Sequence, residues 1–330
     1  MFDPEQTFSD RNVLITGGIG FIGANLARRL LNLGARITLI DSMVPEYGGN
    51  LFNLAGVEDR LTVNVSDVRD AHAMTHLVRG QDYLFNLAGQ TSHVDSMEDP
   101  FTDLDINCRS QLSILETCRH HNPDVKIVFA STRQIYGRPD YLPVDERHLL
   151  RPVDVNGVNK MAGEWYHILY NNVYGIRACA LRLTNTYGPR MRVRDARQTF
   201  LGVWIRLLVE ARPFEVWGGR QKRDYTYVDD AVDAFLRAAA NDAANGKIYN
   251  LGGDRVVSLE ETAEIMINAN GGGDFTVREF PEDRKRIDIG DYYADDAAIR
   301  EAIGWEPKVS LEEGFEHTLS YYRECLGHYV

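Results

Sequence analysis

The stretch RNVLITGGIGFIGANLARRLLNLG, residues 11–34, decides the fold. Residues 11–15 are an apolar run of strand length, residues 16–23 a glycine-rich turn, and ANLARRLLNLG a helix that Gly34 ends. Gly17, Gly20 and Gly23, with Phe21 and Ile22 between them, give the spacing GxxGxxG. Glycines let a backbone approach a pyrophosphate closely, while the following helix directs free N–H groups and its positive dipole end at the same anion. Glycine-rich turns occur in many loops, so the context carries the weight. Here a strand precedes the turn, a helix follows it, and a second apolar run, residues 35–40, ends at Asp41. A carboxylate there accepts hydrogen bonds from the adenosine ribose and repels a 2′-phosphate, so the expected cofactor is NAD rather than NADP. The plainer reading of Asp41 is a cap or turn residue.

Further short apolar runs lie at residues 61–65, 83–87, 126–130 and 178–183, separated by helical periodicity such as that of residues 101–121 and 160–173. Strands alternating with helices, nearly all apolar because both faces are covered, predict an α/β fold with a Rossmann-type doubly wound parallel sheet. Asp67 and Val68, after the third strand, are expected beside the adenine, although Asp67 serves equally as a helix cap. Leu87, Ala88 and Gly89, after the fourth, offer a small backbone edge to the dinucleotide or simply a tight strand exit. Beyond residue 185 turn-rich, arginine-rich segments break the rhythm. The expected division is a cofactor domain over residues 1–184, to which residues 225–252 return, and a smaller C-terminal substrate domain from residues 185–224 and 253–330.

The chain has 330 residues and a formal charge of −12, from 48 acidic and 36 basic side chains. That balance argues against nucleic acid and anionic membranes as partners. Four cysteines without a CxxC pair, and no apolar run of spanning length, fit reduced thiols, no metal site and a cytoplasmic protein. The opening MFDPEQTFSDRN reads as neither a signal nor a transit peptide.

The motifs TGGIGFIG, Asp41, NLAGQ, ASTRQIYG, RLTNTYGPR, RDYTYVDDA and LGGD, spread over nearly the whole chain, resemble the extended short-chain dehydrogenase/reductase family. The likeness is to its NAD-dependent nucleotide-sugar epimerase and dehydratase branch, nearest to UDP-glucose 4-epimerases. GQTSHVDSMEDPFTDLDIN is also similar to CDP-sugar 2-epimerases and sugar 4,6-dehydratases. The resemblance implies that bound NAD oxidises a sugar carbon, usually C4, to a transient ketone. It also implies that Thr132 hydrogen-bonds the reacting oxygen, that Lys160 holds the nicotinamide ribose, and that Asn185 and Arg223 meet the substrate diphosphate. Arg192, within the run Arg190, Arg192, Arg194 and Arg197, is a further candidate for that diphosphate, as is the cluster Arg284, Lys285 and Arg286. Any one of these arginines is equally well a solvated charge.

The family's YxxxK motif is broken, because Asn156 stands four residues before Lys160. An amide hydrogen-bonds but takes no proton near neutral pH. Tyr136, Asp154 and His93 are candidate proton acceptors in its place; a substrate carboxylate or a water is another. Arg133 and Gln134 follow Thr132 where sugar 4,6-dehydratases commonly carry an acidic pair, which counts against dehydration and leaves Arg133 as a candidate partner for a uronate carboxylate or, equally well, a surface arginine. The leading expectation is therefore a C4 epimerase of a UDP-hexose or UDP-uronate. A decarboxylase or dehydratase is the second reading, and a non-catalytic NAD or nucleotide-sugar binder the third. The helices near residues 101–121 and 160–173 resemble the family's dimer-forming pair, so a homodimer is expected.

Overall fold

The apolar runs pair as parallel strands, the inner ones buried on both faces and the outer strand at residues 62–65 partly exposed. The computed structural model describes residues 2–47, 49–281 and 287–330. Twelve strands occur among them: β1 (Asn12–Thr16), β2 (Arg36–Asp41), β3 (Thr62–Val65), β4 (Tyr83–Asn86), β5 (Lys126–Thr132), β6 (Ala178–Leu183), β7 (Asn185–Tyr187), β8 (Phe214–Trp217), β9 (Lys222–Tyr227), β10 (Ile248–Asn250), β11 (Val256–Ser258) and β12 (Phe275–Arg278). Seven form one sheet in the order β10-β6-β5-β4-β1-β2-β3, every neighbouring pair parallel. The expected doubly wound Rossmann-type sheet is thus present. After β6 the chain leaves it, builds β7, β8 and β9, and re-enters at β10. β9 lies between β7 and β11, and β8 pairs with β12.

Side-chain alternation along β1 explains the layering. Val13 and Ile15 pack toward Leu26 and Leu30 of the helix Phe21–Asn32 and Phe235 of the helix Val228–Ala240. Leu14 points the other way, into a cluster with Ile114 and Leu115 of the helix Ser110–His121 and Tyr170 of the helix Val155–Tyr174. A separate apolar cluster, including Trp204, Phe214, Met266, Phe315 and Tyr322, supports the later part of the chain.

Two helices differ from the periodicity-based expectation. The one expected over residues 160–173 begins at Val155, because Asp154 caps it by accepting the Gly157 N–H at 2.6 Å, and it ends at Gly175 in the left-handed region. The one expected over residues 101–121 is Pro100–Leu104 and Ser110–His121 joined by a wide π turn, Asp105–Arg109, which aims Asn107 inward. Apolar periodicity does not report a single widened turn.

The helix Val155–Tyr174 is tied to the sheet by a fully buried ion pair. Arg182 of β6 donates from Nε and Nη2 to the two oxygens of Glu164, at 2.9 and 2.6 Å. Ser131 of β5 donates to Glu164 at 2.6 Å, and Arg182 donates from Nη1 to the Tyr136 hydroxyl, itself bonded to Asn250 of β10. Removing one partner of such a pair strands a charge in the interior. Glu164→Ala is expected to lower unfolding free energy by about 3–5 kcal/mol, measured by urea denaturation.

Candidate active site

Strand order reverses between β1 and β4, and in such sheets the crevice outside the strands' carboxyl ends receives the ligand. A cavity of about 760 Å³ opens there. Gly17, Gly20, Phe21, Ile22 and Gly23 form one wall. Gly17 has φ of +65°, and a Cβ at Gly23 would stand 2.3 Å from the Gly17 carbonyl oxygen, so this surface is bare backbone at the start of a helix with free N–H groups. Thr16 locks the cradle to the next strand by donating to Asn86 at 2.9 Å and accepting from Leu87 and Ala88 N–H at 3.0 and 3.1 Å. Sequence reasoning passed over Thr16, although a polar residue ending an apolar strand was the available signal.

Asp41 lies on the wall with its oxygens accepting from Ile19 and Met43 N–H at 3.1 and 3.0 Å. Burial raises its pKa, opposed by those backbone donors. Asp67 and Val68 line the same end, where Asp67 also holds Arg69 at 2.7 Å and is lowered chiefly by that guanidinium. Leu87, Ala88 and Gly89 complete it.

Thr132 from the end of β5 lines the same cavity as Asn156 and Lys160 from the first turns of the helix Val155–Tyr174. Lys160 Nζ donates to Ala130 O at 3.2 Å; burial pushes its pKa down to about 8, with the Asp103 carboxylate pulling the other way. The Asn156 amide donates to Gln90 O at 2.8 Å and to Asp103 Oδ2 at 3.1 Å. Asn107 and Asn159 add donors to the same buried Asp103, at 3.0 and 2.8 Å. Asn156 therefore belongs to a cage of three amides around one carboxylate, which sequence reasoning did not foresee. Asn156 offers no proton acceptor.

Of the alternative acceptors, the structure takes Tyr136 away from the cavity wall. Its hydroxyl sits between Arg182 and Asn250, and burial raises its pKa to about 12. His93 is on the wall, with Nδ1 3.0 Å from the buried Asp154 carboxylate.

At the far end Asn185 and Arg223 line the cavity. Asn185 donates to Asp224 O at 3.1 Å; Arg223 donates to Lys222 O at 2.8 Å and lies 3.6 Å from Asp288. Arg192 is not brought to the wall, since Asp195 takes its guanidinium at 2.7 and 2.6 Å and Pro45 O a third N–H at 2.7 Å. The nearby acidic residue in RVRD was the signal for that pairing. Arg190 is held by Asn25, whereas Arg197 reaches the wall paired with Asp95. Arg284, Lys285 and Arg286 lie outside the described residues. Arg133 also lines the cavity, and its buried Nε has no hydrogen-bond partner. Burial, and then the neighbouring Arg223, bring its pKa down to about 10. Among the described residues no helix is long and apolar enough to cross a membrane, and no three metal-ligating side chains cluster.

Lys160 makes stability depend on pH. Below about 8 it is charged in both the folded and unfolded states, and burying that charge opposes folding. Between about 8 and its ordinary value of 10.5 the native state sheds the proton first, so stability rises with pH. Urea midpoints of nucleotide-stripped protein should show this alkaline rise, and Lys160→Met should lack it.

Residues 13–252 match the NAD-dependent epimerase/dehydratase family. The chain is 30% identical over 312 residues to a putative UDP-glucose 4-epimerase of Methanocaldococcus jannaschii, covering 94% of this chain and 97% of that one. It is 29% identical over 321 residues to a dTDP-glucose 4,6-dehydratase of Streptomyces griseus, covering 95% and 94%. In structure it is similar to the UDP-glucose 4-epimerase of Thermotoga maritima solved with UDP-glucose, with a TM-score of 0.87, 27% identity, and 96% and 99% of the two chains covered. The chain belongs to the NAD-dependent epimerase/dehydratase family, and its cofactor is NAD.

Proposed function

We propose that this protein is a nucleotide-sugar epimerase that inverts C4 of a UDP-hexose or UDP-uronate through a transient ketone. The observation that carries the reading is the continuous cavity with a glycine cradle at one end, Thr132 and Lys160 at its centre, and Asn185 and Arg223 beyond. The bare backbone at Gly17 and Gly23 fits the pyrophosphate of NAD, Asp41 the adenosine ribose, and Lys160 the nicotinamide ribose. NAD supplies the acceptor for the hydrogen and electron pair leaving the sugar carbon. Thr132 hydrogen-bonds the oxygen on that carbon, while Asn185 and Arg223 hold the diphosphate. The relatives named as UDP-glucose 4-epimerases support this substrate class.

Arg133 favours a uronate over a neutral hexose. A buried guanidinium with an open donor, beside a second arginine, is matched by a carboxylate. The same residue favours a uronate decarboxylase as the second reading. Dehydration is disfavoured because Gln134, at the position of an expected acid, donates its amide to Asp154 at 2.8 Å. NMR of the protein incubated with UDP-, GDP-, CDP- and TDP-sugars is expected to show C4 inversion, greatest for UDP-glucuronate. Arg133→Gln should lower kcat/KM for the uronate on the order of 10–100-fold more than for UDP-glucose. Carbon dioxide release would establish the decarboxylase, and no turnover together with a large gain in Asn156→Tyr would establish a binding protein.

The protein acts as a homodimer. Phe101 is 77% and Trp165 51% exposed, and Leu169 and Val173 continue the apolar face of the helix Val155–Tyr174. Helices that present such a face to water bury it in a partner. Trp165→Glu should shift sedimentation from dimer to monomer.

A further inference from the structure

Oxidation of a sugar alcohol releases a hydroxyl proton, and a chain without the tyrosine needs another group to take it. That group must stand on the cavity wall, keep a lone pair free and lie beside a group that can orient it. Tyr136 fails on position, and Asn156 on chemistry. Lys160 reaches the wall, but its Nζ is committed to Ala130 O and charged at neutral pH. Asp41 and Asp67 stand at the adenosine end. His93 stands on the wall with its imidazole beside the Asp154 carboxylate.

We infer that His93 and Asp154 form a proton-transfer dyad that replaces the missing tyrosine, His93 taking the sugar hydroxyl proton and Asp154 orienting the imidazole. The inference rests on the epimerase reading above. His93 opens a short helix, His93–Glu98, capped by Ser92, and its side chain is 38% exposed against 0% for that of Asp154. Nδ1 lies 3.0 Å from Asp154 Oδ2, approaching obliquely enough to leave it without an aligned hydrogen-bond partner. Catalytic contacts are often misaligned before substrate binds. Asp154 is itself immobilised, since Gln134 donates to Oδ2 at 2.8 Å and Gly157 N–H to Oδ1 at 2.6 Å. Those bonds and His93, with burial opposing, leave its pKa below the ordinary carboxylate value. Gln134 and Thr132 share one turn, so the imidazole and the hydroxyl that meets the sugar oxygen belong to a single hydrogen-bonded construction. With Nδ1–H turned to the carboxylate, Nε2 is left as the acceptor.

The step balances as follows. The hydrogen on the sugar carbon leaves with its electron pair to NAD, the O–H pair becomes the second carbon–oxygen bond, and the proton passes to His93 Nε2. The imidazolium is paired with Asp154 while the ketone exists. When the carbonyl is reduced from its other face the proton returns to oxygen, and His93 ends the cycle neutral.

Two measurements test the dyad. Nitrogen NMR of histidine-labelled protein loaded with NAD and UDP, assigned with His93→Ala, should find His93 as the Nδ1–H tautomer. With UDP-glucose and UDP-glucuronate, His93→Ala should lose on the order of 10²-fold or more in kcat while KM moves less than about threefold, and added imidazole should restore at least about tenfold. Asp154→Asn keeps a good helix cap, and should lower kcat without rescue by imidazole. An Nε2–H tautomer, an unchanged kcat in His93→Ala, or a loss that imidazole leaves untouched would overturn the inference. If the wild-type protein converts neither sugar, the epimerase reading falls and the tautomer alone decides the dyad.

Discussion

The Glu164–Arg182 pair governs the position of everything chemical in this molecule. Glu164 is one turn beyond Lys160 and two beyond Asn156, so the forked contact to β6 sets the rotation of the helix that carries both. Ser131 reads the same carboxylate from β5, one residue before Thr132. A shift of that helix would move Lys160 and Asn156 against Thr132 together, because all three hang from one buried charge. The pair's Coulomb energy is largely offset by its desolvation, so its value lies in orientation more than in stability.

The same economy explains Asn156. Asp103 is a carboxylate without solvent, and three side-chain amides supply its donors. A phenol at that position would offer one donor and fill more space. The Asn156 amide therefore gives the cavity no proton acceptor but completes the solvation of a neighbouring buried anion.

Much of the architecture was legible because it rests on short-range patterning. The first six strands announce themselves as mostly apolar runs of four to seven residues, and Gly17 to Gly23 carries the turn in its spacing. Thr132 and Lys160 were found through motifs, and the fold brings both to one cavity with Asn185 and Arg223. What escaped is which side chains pair with which, together with one local change of helical phase. His93 and Asp154 are polar residues in separate segments, and nothing in either segment announces their contact. Arg192 looked like a ligand for phosphate until Asp195 and Pro45 were seen to hold it. The wide turn at Asp105–Arg109 is a change of one residue in helical phase, below the resolution of any periodicity.

The placement of β10 has a consequence for how the protein is made. It is the outer strand of the main sheet beside β6, yet it comes from residues 248–250, after β7, β8 and β9 have been synthesised. Until then β6 presents an open hydrogen-bonding edge on the ribosome, and such edges invite pairing with other chains. Asn250 also accepts a hydrogen bond from the Tyr136 hydroxyl, whose oxygen accepts one from Arg182. The nascent chain thus carries Tyr136 without its Asn250 acceptor through the synthesis of some sixty residues between β6 and β10, and a chaperone that shields β6 during that interval would protect the sheet edge.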